Sequence, residues 1–177
     1  CSSAKVSNHE RFAMKVGIVG LGDGGRCNLK SLVVADAEVI AICDSNKEVL
    51  GAVKSETGTS AETYSSIQGL LAHPDIDLVV VATPDDQHLL PTQAALEAGK
   101  YVFVEKPVAT TPDDLKKFTE LNKKYPQQIL FSEKYSFANP VQIALACRAK
   151  LGMFLCGMTL YTMWRCDRIM GGGKWRG

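Results

Sequence analysis

The sequence has 177 residues, a net charge of +1 at neutral pH, and 46% apolar against 22% charged side chains. That balance is one of a folded globular chain: it excludes intrinsic disorder and offers no basic face for a nucleic acid. No apolar run reaches the roughly 20 residues that a membrane-crossing helix needs. The six cysteines form no C-x-x-C pair and have no nearby histidine at metal spacing, so no metal site is expected, and free thiols in a reducing cytoplasm are.

Residues 1–13 are polar and aperiodic and are expected to form a tail ahead of the fold. Residues 14–19 read as a short buried strand, residues 26–34 as a helix, and between them lies Gly20-Leu21-Gly22-Asp23-Gly24-Gly25. Strand, G-x-G-x-x-G and helix in that order predict a dinucleotide site. Gly20 permits the tight turn, Gly22 lets the backbone approach a pyrophosphate, and Gly25 lets helix and strand pack closely. The phosphates are then expected at the helix N-terminus, where unpaired N–H groups and the helix dipole favour an anion.

The next strand, residues 37–43, delivers Asp44 at its carboxyl end. A carboxylate there can accept two hydrogen bonds from the adenosine ribose and repels a 2′-phosphate, which favours NAD over NADP. Lys47 or Arg26 offers the route by which NADP would bind instead, and the plain alternative for Asp44 is an N-cap of the helix that follows.

Further along, the spacing predicts a helix over 47–55, a short strand at 63–64, a helix over 66–72 and a continuous apolar strand over 77–83. A helix over 87–98 follows, with Gly99 as its C-cap, then a strand over 101–104. Thr111 as N-cap, Pro112 at the first helical position and Asp114 at the third open a helix that runs to about Lys124. A sixth strand is expected over 128–132 and a helix over 140–150. Repeated βα order implies an α/β fold with a doubly wound parallel sheet. The pattern changes at 154–164, a long strand-like run rich in aromatic and β-branched residues, which is expected to open a second sheet and to pair with another copy if left as an edge. The expected division is a dinucleotide-binding domain over 14–138 and the start of a second domain over 139–177.

Two loops follow strand ends: Thr83-Pro84-Asp85-Asp86-Gln87-His88 and Glu105-Lys106-Pro107. Open α/β sheets bind ligands beyond the carboxyl ends of their strands, so both loops are expected to face the same crevice as the glycines. Lys106, partly desolvated at a buried strand end, is a candidate to exchange a proton with a hydroxyl; its plain alternative is a solvated lysine paired to Glu105. Pro107 restricts Lys106 to an extended backbone, and a cis bond would aim the side chain further. His88 reads either as a satisfied surface or capping residue or as one that faces the cofactor.

The glycine loop, Asp44, Ala82-Thr83-Pro84, Ala95-Leu96-Glu97-Ala98-Gly99-Lys100 and Glu105-Lys106-Pro107 together resemble the Gfo/Idh/MocA oxidoreductase family over residues 15–177, most specifically from Ala98-Gly99-Lys100 to Glu105-Lys106-Pro107. The resemblance implies an N-terminal Rossmann domain binding NAD or NADP, a C-terminal α/β domain with a large open sheet, and sugar, inositol or related polyol substrates. It implies that Lys106 contacts the substrate hydroxyl beside the nicotinamide, that Glu105 positions it, and that Thr83, Pro84, Asp85 and His88 lie along the cofactor. It implies that residues 135–140 enter the substrate domain, that 164–165 and 173–177 are early pieces of it, and that its sheet builds dimers or tetramers. Asn28 stands where the family often has histidine and Asp85 where asparagine is frequent; the Gly-rich segment with the proton-transfer aspartate and histidine would fall after Gly177. The alternatives are a nucleotide-binding module without catalysis and, since a glycine loop with an acid ending the second strand also suits adenosylmethionine, a methyltransferase, against which Glu105-Lys106-Pro107 argues.

Overall fold

Side chains alternate along the central strands, so each strand feeds two cores. The computed structural model describes residues 14–132, all within one compact unit. Its strands are β1 (Lys15–Val19), β2 (Glu38–Cys43), β3 (Glu62–Tyr64), β4 (Leu78–Val81), β5 (Tyr101–Val104) and β6 (Ile129–Phe131). They form a six-stranded sheet in the order β3-β2-β1-β4-β5-β6, with every neighbouring pair parallel. Val16, Ile18, Ile42 and Val80 face one way, against Leu29 of α1 (Asp23–Val34) and Leu50 and Val53 of α2 (Lys47–Thr57). Val19, Ala41, Cys43, Val79, Val81, Val102 and Val104 face the other way, against Leu70 of α3 (Ile67–Leu71), Ala95 and Leu96 of α4 (Leu89–Glu97) and Phe118 of α5 (Pro112–Lys124). This is the doubly wound α/β architecture that the βα order predicts. The order reverses between β1 and β4, where such sheets open a ligand crevice.

Element ends follow local chemistry. Asn46, Ser66 and Thr111 accept from the backbone N–H of Glu48, Gly69 and Asp114 and so cap α2, α3 and α5. Apart from end shifts of one or two residues, two elements differ from the sequence reading. Helix α1 begins at Asp23 rather than at residue 26, because glycines with poor intrinsic helix propensity are carried into its first turn by the packing of Gly25. The helix expected over 87–98 starts two residues later, as α4, and is preceded by a 3₁₀ turn, Asp85–Gln87. Expectations for 1–13, 135–140, 140–150, 154–164, 164–165 and 173–177, and for the domain limits near 138, lie outside the described residues. Among the described residues no helix is long and apolar enough to cross a membrane, and no three His, Cys, Asp or Glu side chains gather as a metal site.

Candidate active site

Register sets the site. Val19 pairs with both Cys43 and Val81, and Val81 pairs with Val104. The residues that follow, Gly20, Asp44, Ala82 and Glu105, therefore leave the sheet at one level. The ladder runs one residue further, with Gly20 N donating to Cys43 O (2.8 Å), Ala82 N to Val19 O (2.8 Å) and Glu105 N to Val81 O (2.9 Å). The three loops singled out in the sequence thus share one edge of the sheet at the point where its order reverses.

The glycine loop is shaped by two contacts that admit no side chain. Gly20 has φ +88°, and a Cβ on it would lie 2.5 Å from Ala82 O; a Cβ on Gly25 would lie 1.9 Å from Gly20 O. Buried Leu21 roots the loop in the core. Gly22 is different. A Cβ there would meet nothing within 4 Å, so the chain's own packing does not demand glycine at that position. Gly22 is also the N-cap of α1 and makes no side-chain cap, whereas α2, α3 and α5 each have one. A helix start without a capping side chain, beside an open glycine, is the cradle that a pyrophosphate requires. Asp23 and Gly24 form the first turn of this helix. The residues therefore fit a dinucleotide.

Asp44 joins the loop to the next element. Its Oδ2 accepts from Leu21 N (2.9 Å) and its Oδ1 from Asn46 N (2.9 Å). Asn46, not Asp44, caps α2, and the remaining carboxylate lone pairs of Asp44 could accept from hydroxyls such as those of a ribose. Arg26, a candidate partner for a 2′-phosphate, is tied down: its Nε donates to Leu21 O (3.1 Å) and its guanidinium pairs with Glu56. Lys47 is exposed at the start of α2.

His88 is buried, and both ring nitrogens face carbonyl oxygens, Nδ1 that of Pro107 at 2.9 Å and Nε2 that of Thr83 at 3.0 Å. A neutral imidazole donates to one of these, and only the imidazolium donates to both. His88 is thus a clasp between the two strand-end loops. It is neither a surface nor an N-capping side chain, and its hydrogen-bonding nitrogens are spent on the protein. Thr83 Oγ1 donates to Gln87 O (3.1 Å) and closes the 3₁₀ turn, whose N-cap is Pro84 and whose first residue is Asp85. Glu105 is half-buried; its Oε2 accepts from Lys106 N (3.1 Å) and its Oε1 from Asn28 Nδ2 of α1 (2.9 Å). Lys106 is exposed and, among the described residues, forms no ion pair, so neither the desolvation nor the pairing with Glu105 that the sequence suggested is seen there. The Lys106–Pro107 bond is cis. Asn28, a residue the sequence marked only by its type, thus braces Glu105 from α1. Its spacing of four from Gly24 is the signal that puts it on the glycine face of the helix.

The family model described as the oxidoreductase family with an NAD-binding Rossmann fold matches residues 14–133. Inositol 2-dehydrogenase/D-chiro-inositol 3-dehydrogenase of Lacticaseibacillus casei is 35% identical over 129 residues, covering 70% of this chain and 37% of that relative. Inositol 2-dehydrogenase of Salmonella typhimurium is 33% identical over 129 residues, with 70% and 38% covered. Among solved structures, myo-inositol dehydrogenase from Lactobacillus casei in complex with NAD(H) and myo-inositol superimposes with a TM-score of 0.73 at 28% identity, covering 80% of this chain and 42% of that one. The WlbA dehydrogenase from Bordetella pertussis in complex with NADH and UDP-GlcNAcA gives 0.68 at 26%, with 77% and 40% covered. The chain therefore spans about two-fifths of the length of the relatives it matches. With the glycine loop, Asp44 and Lys106 at one sheet edge and the family model matching 14–133, the chain belongs to the Gfo/Idh/MocA oxidoreductase family, whose matched region is an NAD-binding Rossmann fold.

Proposed function

We propose that this chain is the cofactor-binding part of an NAD-dependent dehydrogenase acting on a secondary hydroxyl of a sugar, inositol or related polyol. The observation that carries the reading is the common exit of Gly20, Asp44 and Glu105 at one end of the sheet, which supports reading them as an anion cradle, a ribose acceptor and the lead-in to a lysine along one crevice. The named ligands of the relatives, inositols and a nucleotide sugar, support the substrate class. In this reading residues 14–138 are the NAD(P)-binding domain and 139–177 begin the substrate and oligomerisation domain.

Gly20, Gly22, Asp23, Gly24 and Gly25 present the start of α1 to the pyrophosphate, Leu21 aligns Asp44, and Asp44 holds the adenosine ribose. Thr83, Pro84 and Asp85 line the path toward the nicotinamide, while His88 and Pro107 fix the two loops to each other. Lys106 Nζ holds the substrate hydroxyl and takes part in moving its proton as the alcohol carbon becomes a ketone. NAD supplies the hydride acceptor.

The test is an NADH titration by fluorescence, NADPH in parallel, followed by NAD reduction assays with inositols and sugar alcohols on wild type and Lys106→Ala, the turnover assays being run with this part joined to a substrate domain. NADH is expected to bind more tightly than NADPH, and Lys106→Ala to keep binding while losing turnover. Binding without turnover of any polyol would support the non-catalytic module, and tight binding of adenosylmethionine in place of NADH would support the methyltransferase.

A further inference from the structure

The Glu105 carboxylate is where two parts of the candidate site, far apart in sequence, meet. Asn28 on α1 lies four residues beyond Gly24, and its Nδ2 donates to Gly24 O (2.9 Å) and to Glu105 Oε1 (2.9 Å). Both amide hydrogens are used. Because both partners are acceptors, they also fix which end of the amide faces them. The second oxygen of Glu105 accepts the backbone N–H of Lys106 (3.1 Å), and the backbone N–H of Glu105 is held by Val81 O (2.9 Å). Helix α1 is itself seated tightly, since the Gly25 Cα approaches Gly20 O so closely that a Cβ would stand 1.9 Å away.

Resting on the functional reading above, we propose that Asn28 is a positioning residue: through Glu105 it ties the start of α1, where the pyrophosphate sits, to the backbone of Lys106, which must reach the substrate beside the other end of the same cofactor. Lys106 is exposed and without an ion pair among the described residues, so its place is set through its backbone. Without the Asn28 amide the Glu105 side chain loses its contact with α1 and is free to turn away from Lys106 N. The bond to Gly24 O is lost as well, but the start of α1 stays seated by the close approach of Gly25 to Gly20 O, so its N–H groups keep their place. Cofactor affinity and lysine placement therefore come apart.

The experiment follows amide exchange of Lys106 by NMR and NADH affinity by fluorescence in wild type, Asn28→Ala and Asn28→Asp. In Asn28→Ala, exchange at Lys106 is expected to rise about tenfold or more, as for the loss of a hydrogen bond to a charged acceptor. The amides of α1 keep their protection, and the NADH Kd stays within about threefold. Asn28→Asp sets a second carboxyl against Glu105, the titratable group that Asn28 touches. At acid pH a shared proton restores the contact, so Lys106 exchange, corrected for its intrinsic pH dependence, is expected to be wild-type-like there and to rise as the proton leaves. A role in helix stability alone gives no such step. Unchanged Lys106 exchange in Asn28→Ala overturns the proposal, and so does loosening of α1 together with the loop. A wild type that does not bind NADH overturns the functional reading instead, and the exchange comparison still decides whether Asn28 places Lys106.

Discussion

Under the proposed function, single side chains at the sheet edge divide between holding and reacting. Asp44 spends one lone pair on Leu21 N and one on Asn46 N, so its removal loosens the loop as well as deleting the proposed ribose acceptor. Asp44→Ala is expected to weaken NADH binding by roughly 10- to 100-fold, the loss of one or two charge-assisted hydrogen bonds, and to narrow the preference over NADPH because the carboxylate that repels a 2′-phosphate is gone. Parallel titrations with both cofactors read this directly. Cys43, one residue earlier, titrates abnormally: burial, with the Asp44 carboxylate beside it, pushes its thiol up to about 11. Below the ordinary thiol value of 9.0 it is protonated in the folded and unfolded chain alike. Between about 9 and 11 only the unfolded chain ionises, so stability falls as pH rises through that window, by up to about 3 kcal/mol. Urea unfolding across the window should show a steeper loss for wild type than for Cys43→Ala, and equal slopes would remove Cys43 as the cause.

At the scale of elements, the glycine loop separates folding from binding. A Cβ on Gly25 has no room against Gly20 O, whereas one on Gly22 meets no protein atom within 4 Å. Gly25→Ala is expected to push α1 off the sheet at a cost of about 2–3 kcal/mol, seen as a Tm lower by roughly 5–10 °C. Gly22→Ala is expected to leave the Tm near that of wild type and to weaken NADH binding at least about tenfold, since the methyl occupies the approach of the pyrophosphate. A Gly22→Ala chain that binds NADH normally would remove the phosphate role of that loop. Local chemistry made most of these elements legible. Thr111-Pro112-Asp114 opens α5 where the sequence put it, and the apolar runs mark β4 and β5 because parallel strands are covered on both faces. The start of α1 was not legible, because glycine's poor propensity hides a turn that tertiary packing imposes. Nor was the role of His88. Its partners are the carbonyls of Thr83 and Pro107, backbone atoms that the sequence does not single out and that only the sheet register brings to either side of one ring.

Across the whole molecule, the proposed function divides the described residues unevenly. In that proposal the groups assigned to a dinucleotide lie on both sides of the sheet's reversal point, while the side of the crevice assigned to a polyol is represented among the described residues by Lys106. Binding energy should follow the same division. Saturating NADH binds the folded chain and not the unfolded one, so at about 100 times its Kd it adds about 2.7 kcal/mol of stability, a Tm rise of roughly 5–10 °C for a chain of this size. Myo-inositol alone is expected to leave the Tm unchanged, because one exposed lysine supplies too few contacts to offset the freedom lost on binding. Thermal unfolding with each ligand and with both checks this, NADPH serving as the weaker cofactor. A rise with myo-inositol in the absence of NADH would mean that a polyol pocket exists in this chain independently of the cofactor. The crevice at the ends of β1, β4 and β5 would then hold only half of the recognition surface assigned to it.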